Sequence, residues 1–182
     1  MFDDEPIIII FNRDNYIVDR IIDLDPFDRI VEIIDNENNF RARMENLNKT
    51  FVIVCIFPQW NYSQVQAFVQ QNIITSPRIR LFCLFFINGQ LVNMNTLGDN
   101  RIIGCHPITS QTTANTRRVC ARANHLNIRY CENQRLLNDQ QGDIGIADIY
   151  ARQKDARLSL ELEYNKQLLR EIEQRARAQQ SN

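Results

Sequence analysis

Glycine is scarce in this sequence, with only five among 182 residues. Many nucleotide-binding enzymes hold phosphate groups in glycine-rich loops, because only glycine lets the backbone approach so closely. The chain has neither a G-x-G-x-x-G pattern nor a phosphate-binding loop with its lysine. The sequence therefore argues against both of these classes of nucleotide-binding enzyme.

Long hydrophobic segments are also absent. The longest apolar runs span about seven residues, whereas a membrane-spanning helix needs roughly 20. The chain begins Met1-Phe2-Asp3-Asp4-Glu5, which is acidic where a secretory signal would be basic. We therefore expect no membrane span and a cytoplasmic protein.

The five cysteines are odd in number and include no C-x-x-C pair, so they do not indicate a disulfide framework. Cys55 and Cys83 lie inside apolar runs and are expected to be buried, reduced thiols. The other three share one basic segment with both histidines and could be considered as zinc ligands: Cys105, His106, Cys120, His125 and Cys131. Their spacing fits no standard zinc finger. We predict no metal site and no cofactor, although the sequence alone leaves open whether this group binds a metal.

Three unbroken apolar runs dominate the first half of the chain: Ile7–Phe11, Phe51–Phe57 and Leu81–Ile87. None of them alternates apolar with polar residues, which is typical of strands covered on both faces. The two intervals between them contain one-sided apolar stripes that predict helices over 25–34 and 61–71. Strands joined by helical crossovers pair in parallel, so an α/β sheet is expected.

The third run is followed by Asn88-Gly89 and then by Leu91-Val92. Asn-Gly between apolar segments is a strong hairpin signal, because the turn needs positive φ at both central residues. An antiparallel fourth strand is therefore predicted. The resulting order, β-α-β-α-β-β with a closing helix from residues 97–137, predicts a thioredoxin-like sheet with helices on both faces. We assign residues 1–137 to this domain.

The tail, residues 138–182, has a different pattern. From Asp148 to Gln180 it contains neither glycine nor proline. Residues in steps of four and three make a short coiled-coil seam along a long helix: Leu158, Leu162, Asn165, Leu169, Ile172 and Ala176. We predict that the first five of these contact a partner helix, from a second copy or from another protein, with Asn165 fixing the register.

Residues suited to catalysis are missing from the expected places. A thioredoxin-type oxidoreductase needs a reactive thiolate at the start of its first helix. This chain has Asn12-Arg13-Asp14-Asn15 there, and its first cysteine is Cys55. Neither histidine has a recognisable catalytic partner by spacing. We therefore predict that the protein is not an enzyme.

Nucleic-acid binding is also disfavoured. A basic segment contains five arginines: Arg117, Arg118, Arg122, Arg129 and Arg135. Tyr130 alone could stack on a base there, and the whole chain has a net charge of −1. We expect protein partners rather than nucleic acid.

Two stretches resemble the UAS domain, and the segment after it, in Fas-associated-factor-type UBX adaptor proteins. One is the helix, proline and hydrophobic hairpin over 62–90, and the other is the Gln-Gln-Asp-containing segment and charged helix over 135–157. The resemblance implies a redox-inactive thioredoxin-like domain in an adaptor for ubiquitin-dependent protein handling.

Two alternatives remain at this point. The segment from Leu91 to Ile102, with Thr96-Leu97-Gly98-Asp99, is similar to a segment of ubiquitin. Residues 40–110 would then be a β-grasp interaction domain with a first hairpin from residues 40–46 and 51–57. The second alternative is a structural subunit of a larger, for instance viral, assembly, which the high asparagine and isoleucine content would also suit.

Overall fold

A computed structural model describes residues 6–13, 31–45, 49–57, 59–87, 99–108 and 112–180. The strands are β1 (Ile7–Asn12), β2 (Val31–Ile34), β3 (Phe51–Phe57), β4 (Ile79–Ile87) and β5 (Ile102–Ile108). The helices are α1 (Glu37–Met44), α2 (Tyr62–Phe68, continued by a π-helical segment Val69–Ile74), α3 (Thr112–Gln140) and α4 (Ile144–Gln180).

The described strands form one five-stranded sheet in the order β2-β1-β3-β4-β5, and every neighbouring pair is parallel. This is one of the common strand orders of doubly wound α/β sheets. All seven residues of β3 are buried, as are Ile8 to Phe11 of β1. The predicted mixed α/β class, the three apolar strands and the long C-terminal helix are confirmed.

Aromatic rings fill the core on one face of the sheet. Phe11 stacks on Phe68 with ring centroids 4.8 Å apart and lies 5.1 Å from Phe40. Phe57 packs edge-on against Phe68 at 5.5 Å. The four rings connect β1, β3, α1 and α2, so this cluster fixes both helices on the sheet.

The helix predicted over 25–34 is wrong at its C-terminal end, where Val31–Ile34 forms strand β2. Residues 25–30 lie outside the described residues. Val31 pairs with Ile8 and Ile34 with Phe11 on the neighbouring β1. Hydrogen bonding to a distant strand overrides the local helical spacing, and β-branched residues favour that outcome. The next helix begins after Asn36, whose side chain caps it.

The β-grasp hypothesis is also wrong. Residues 40–44, which it placed in a first strand, belong to α1, and Ile7–Asn12 is an internal strand of the sheet. The predicted hairpin at Asn88-Gly89 and its following strand lie outside the described residues. In the described sheet, β4 is flanked by β3 and β5, both parallel to it. The more specific thioredoxin-like arrangement is thus not confirmed and stays a prediction.

The chain forms two compact units, Met1–Tyr130 and Cys131–Asn182. The first contains the sheet, α1, α2 and most of α3. The second contains the end of α3 and all of α4. The domain boundary predicted between residues 137 and 138 lies inside α3.

Candidate functional site

The C-terminal unit is a helical hairpin with a well-defined turn. Gly142 ends α3 at φ 78°, a left-handed conformation that glycine adopts without steric cost. Its N–H donates to the Asp139 carbonyl, and the Asp143 N–H donates to the Asn138 carbonyl. This is the Schellman pattern of helix ends. Asp143 then caps α4, because its Oδ1 accepts from the Ile146 N–H at 3.3 Å.

An ion-pair network joins the two helices of this hairpin. Glu132 on α3 accepts hydrogen bonds from Arg135 at 2.9 and 3.1 Å and from Lys154 of α4 at 2.7 Å. The hydrogen bonds from Arg135 and then Lys154 lower the pKa of Glu132 to about 2. Glu132 therefore stays ionised across the physiological pH range and keeps α4 aligned with the end of α3.

Helix α4 has two distinct faces. One carries the buried residues of the helix: Ala147, Tyr150, Arg157 and Tyr164. Consecutive residues of an α-helix are turned by about 100°. Leu158 and Asn165, each one position after a buried residue, therefore point to a different side.

That other side carries an exposed apolar row, the leucine stripe, made of Leu158, Leu162, Leu169 and Ile172. Their exposed fractions are 44%, 55%, 59% and 53%. Asn165 is also exposed and lies in the middle of the stripe. The structure thus places all five predicted interaction residues on one exposed side of a continuous helix.

A second candidate region is the carboxyl edge of the sheet, where doubly wound folds bind ligands next to the reversal in strand order. Arg13, directly after β1, donates to Glu37 at 2.7 Å. Its guanidinium also lies 4.4 Å from the centre of the Trp60 ring, in a cation–π contact. The neighbouring helices α1 and α2 are capped by Asn36 and Asn61. At this edge Arg13 and Glu37 therefore bind each other, and the two capping asparagines bind backbone N–H groups of their own helices.

No sequence motif predicted this Arg13–Glu37–Trp60 cluster. The three side chains come from different segments: Arg13 follows β1, Glu37 is the first residue of α1, and Trp60 lies just before α2. The available signal was their position, because each follows a strand that ends at the same edge.

The π-helical segment is a third region of interest, since π-helical turns often occur at functional sites. Asn72 in this segment is 8% exposed. Its side-chain amide donates to the Phe68 carbonyl at 3.0 Å and accepts from the Arg41 Nε at 2.7 Å. Asn72 thus links α1 to the end of α2, which is a structural role.

The five possible zinc ligands are not brought together. Within the described ranges, no group of three or more His, Cys, Asp or Glu side chains could hold a metal ion. Cys105 packs against the aromatic core, whereas alternation along β5 points His106 to the other face. Burial raises the pKa of Cys105 to about 11 and that of Cys120 to about 12. All five cysteines are free thiols.

His106 has an unusual environment. Its Nε2 is shielded from solvent and has no hydrogen-bond partner within the described part of the chain. The ring lies 5.1 Å from Phe85 and covers Gly104, where a Cβ atom would approach Nε2 to 2.6 Å. Burial, and then the nearby Arg122 and Arg118 charges, lower the pKa of His106. This site therefore favours the neutral imidazole.

Because its pKa is lowered on folding, His106 should make the stability of the folded chain decrease in acid. The unfolded chain, with a histidine pKa of roughly 6.5, binds a proton more readily than the folded chain does. Stability should therefore fall as the pH decreases from about 6.5 towards the folded-state pKa. We expect His106→Gln to reduce the drop in melting temperature between pH 7.5 and pH 5.5.

The matched control is His125→Gln, because His125 is exposed on α3. This variant should keep the wild-type pH dependence. An equal pH dependence in wild type and His106→Gln would contradict the assignment.

Comparison with known proteins finds no family model, curated protein or solved structure that matches this chain. None of the helices in the described residues is both long enough and apolar enough to cross a membrane.

Proposed function

We propose that this chain is a non-catalytic protein-interaction module that binds a helix of a partner through the leucine stripe of α4. One observation carries the proposal. Eight large hydrophobic side chains are exposed in the described part of the chain, and the leucine stripe accounts for four of them. A contiguous exposed apolar row is typical of a surface that a partner covers.

The spacing of the stripe supports a helical partner. Steps of four, three, four and three residues, counting Asn165, keep the side chains in one line along α4. Two such lines interlock when their helices wrap around each other. Covering one Leu or Ile side chain contributes roughly 1.5–3 kcal/mol at full burial. Burial of the four partly exposed side chains of the leucine stripe would therefore contribute enough free energy for a weak but specific association.

The absence of catalysis is also part of the proposal. At the carboxyl edge, Arg13 is engaged by Glu37 and Trp60. Burial raises the pKa of the Cys55 and Cys83 thiols, which keeps them protonated and poor nucleophiles. These features are more typical of a structural domain than of a catalytic site.

The resemblance to UAS-domain adaptors gives the proposal a more specific form. In that form, the partner belongs to ubiquitin-dependent protein handling. This form rests on the sequence likeness alone.

Replacing all four residues of the leucine stripe with glutamine should abolish partner binding. Glutamine preserves helix propensity, so α4 should remain helical while its apolar row is lost. We expect affinity for the partner to fall by at least roughly a hundredfold. The measurement is affinity capture with the full chain, read by mass spectrometry, together with sedimentation to detect self-association.

The matched control is Leu136→Gln with Leu137→Gln, since these leucines are 42% and 46% exposed but lie outside the stripe. It should retain every partner. Capture of the same proteins and the same self-association by both variants would contradict the proposed function. Recovery of ubiquitin-pathway components that requires the stripe would support the adaptor form, and recovery of the chain alone would contradict it.

A further inference from the structure

We propose that the partner of the leucine stripe is α4 of a second copy of this chain, aligned in parallel and in register. This inference rests on the proposed function, because it names the occupant of the same surface, and it puts a second copy there in place of the ubiquitin-pathway partner of the adaptor form. The polar and charged residues that accompany the stripe favour this pairing.

The position of Asn165 favours a parallel pair. In heptad terms, Leu162 and Leu169 occupy the a positions, and Leu158, Asn165 and Ile172 occupy the d positions. A parallel, in-register pair places each residue opposite its own copy. Asn165 then faces Asn165, and two side-chain amides can donate to and accept from each other.

In an antiparallel pair, Asn165 would lie opposite a different residue. Antiparallel helices place a positions opposite d positions, so aligning the same apolar layers sets Asn165 opposite Leu169. The asparagine amide would then be covered by a side chain that can neither donate nor accept a hydrogen bond. Covering a polar group without a partner is unfavourable.

Charges beside the stripe favour the same orientation. In a parallel pair, the g position of one helix faces the following e position of its partner, which brings Glu161 next to Lys166 of the other copy, twice per dimer. Neither side chain has an ion-pair or hydrogen-bond partner among the described residues of its own chain. Both are therefore available for pairing between copies.

The antiparallel alternative has a less favourable arrangement of charges. It would place Lys166 beside Lys166 of the other copy. It would also bring Glu161 towards Arg175, an attractive contact that leaves the repulsion between the two Lys166 side chains in place. The parallel arrangement is the one in which the unpaired charges complement each other.

The association should be weak. From Leu158 to Ile172 the stripe covers about two heptads and roughly 21 Å of helix, which is short for a coiled coil. We expect a monomer–dimer equilibrium with a Kd on the order of 10–100 µM. At high concentration the sedimenting species should approach twice the chain mass of 21.5 kDa.

Charge reversal of Glu161 and Lys166 tests this inference on the full chain. Glu161→Lys and Lys166→Glu should each weaken self-association by roughly tenfold, because two attractive contacts per dimer become repulsive. The double variant, which exchanges the two charges, should associate like wild type. An equimolar mixture of the two single variants should also associate like wild type, because all the contacts in their heterodimer are attractive.

The outcomes separate the inference from the proposed function. A double variant as weak as the single variants would overturn the parallel pair. A wild-type chain that stays monomeric up to about 500 µM, well above the expected Kd, would overturn a second copy as the partner. Either result would leave the proposed function standing if the glutamine variant of the leucine stripe still loses a foreign partner. Circular dichroism melts of each variant establish that any loss is not caused by unfolding.

Discussion

Deletion of residues 1–14 should abolish the cooperative unfolding transition of the sheet domain. The deletion removes β1, which lies between β2 and β3 and pairs with both along its length. Four consecutive residues of this strand, Ile8 to Phe11, have no exposed surface. Their loss would leave β2 without a strand partner, would leave one edge of β3 unpaired, and would open the aromatic core. Since a domain is typically stable by only about 5–15 kcal/mol, removal of a central strand exceeds what the fold can tolerate.

A single substitution in β1 tests the same strand without shortening the chain. Phe11→Ala removes a fully buried ring that contacts Phe40, Phe57 and Phe68. We expect a destabilisation of about 3–5 kcal/mol, because both the buried area and the packing around the new cavity are lost. Chemical denaturation followed by circular dichroism measures it directly.

Deletion of residues 1–5 alone is the control, because it leaves β1 intact. This shorter deletion should melt like the full chain. A cooperative melt of the 1–14 deletion, at a temperature close to that of the full chain, would show that β1 is not an integral strand.

A helix or strand could be predicted from the sequence when the pattern that defines it lies within its own residues, and not when it depends on residues far away in the sequence. β1, β3 and β4 were predicted because each contains a continuous apolar run, and consecutive residues of each run are buried: Ile8–Phe11, Phe51–Phe57 and Leu81–Phe85. Helix α4 was predicted because its periodicity is local and is uninterrupted by glycine or proline. In each case the sequence carries the signal within the element itself.

Other elements depend on distant partners. In β2, the spacing of Val31 and Ile34 favours a helix, and the strand forms because it pairs with β1, where Ile8, the partner of Val31, lies more than 20 residues earlier. In β5, Gly104 and His106 interrupt the apolar pattern, so local periodicity does not predict a strand there. Residues 102–108 form a strand because they pair with β4, where Gly104 lies opposite Cys83.

The same distinction applies to the candidate sites. The leucine stripe was predicted because its residues recur along one helix. The Arg13–Glu37–Trp60 cluster was missed because its three residues lie in segments that are far apart in the sequence. The contacts of Arg101 were missed for the same reason: its hydrogen-bond partners lie 22 to 28 residues earlier in the sequence, except for Asp99.

Replacement of Arg101 is the second change for which we expect a large effect. Its guanidinium is held by Asp99, with the shortest hydrogen bond at 2.6 Å. It also donates to four backbone carbonyls at 2.8–3.3 Å, which belong to Ile73, Ile74, Ser76 and Ile79. One side chain therefore joins the segment before β5 to the end of the π-helical segment and the start of β4.

Arg101→Ala should destabilise the sheet domain by about 2–4 kcal/mol, because several carbonyls lose their donor and the nearly buried Asp99 carboxylate keeps only the backbone N–H of residue 101. The side chain of Asp99 is only 7% exposed. Arg101→Lys should recover part of the loss, since an ammonium group keeps the charge but cannot reproduce the planar arrangement of donors. Denaturant titration at pH 7 measures both variants.

The pH dependence distinguishes this role from simple packing. Hydrogen bonding to Arg101 lowers the pKa of Asp99 below its usual value, so the stabilisation is fully present above the unfolded pKa of roughly 3.9. It is lost as the pH falls through the folded-state pKa. The difference in stability between wild type and Arg101→Ala should therefore shrink below about pH 4.

Arg175→Ala is the control, because Arg175 is 75% exposed and pairs with Glu171 at 3.8 Å, a contact that contributes little. Equal destabilisation by Arg101→Ala and Arg175→Ala, or a difference that does not change with pH, would rule out the proposed role of Arg101.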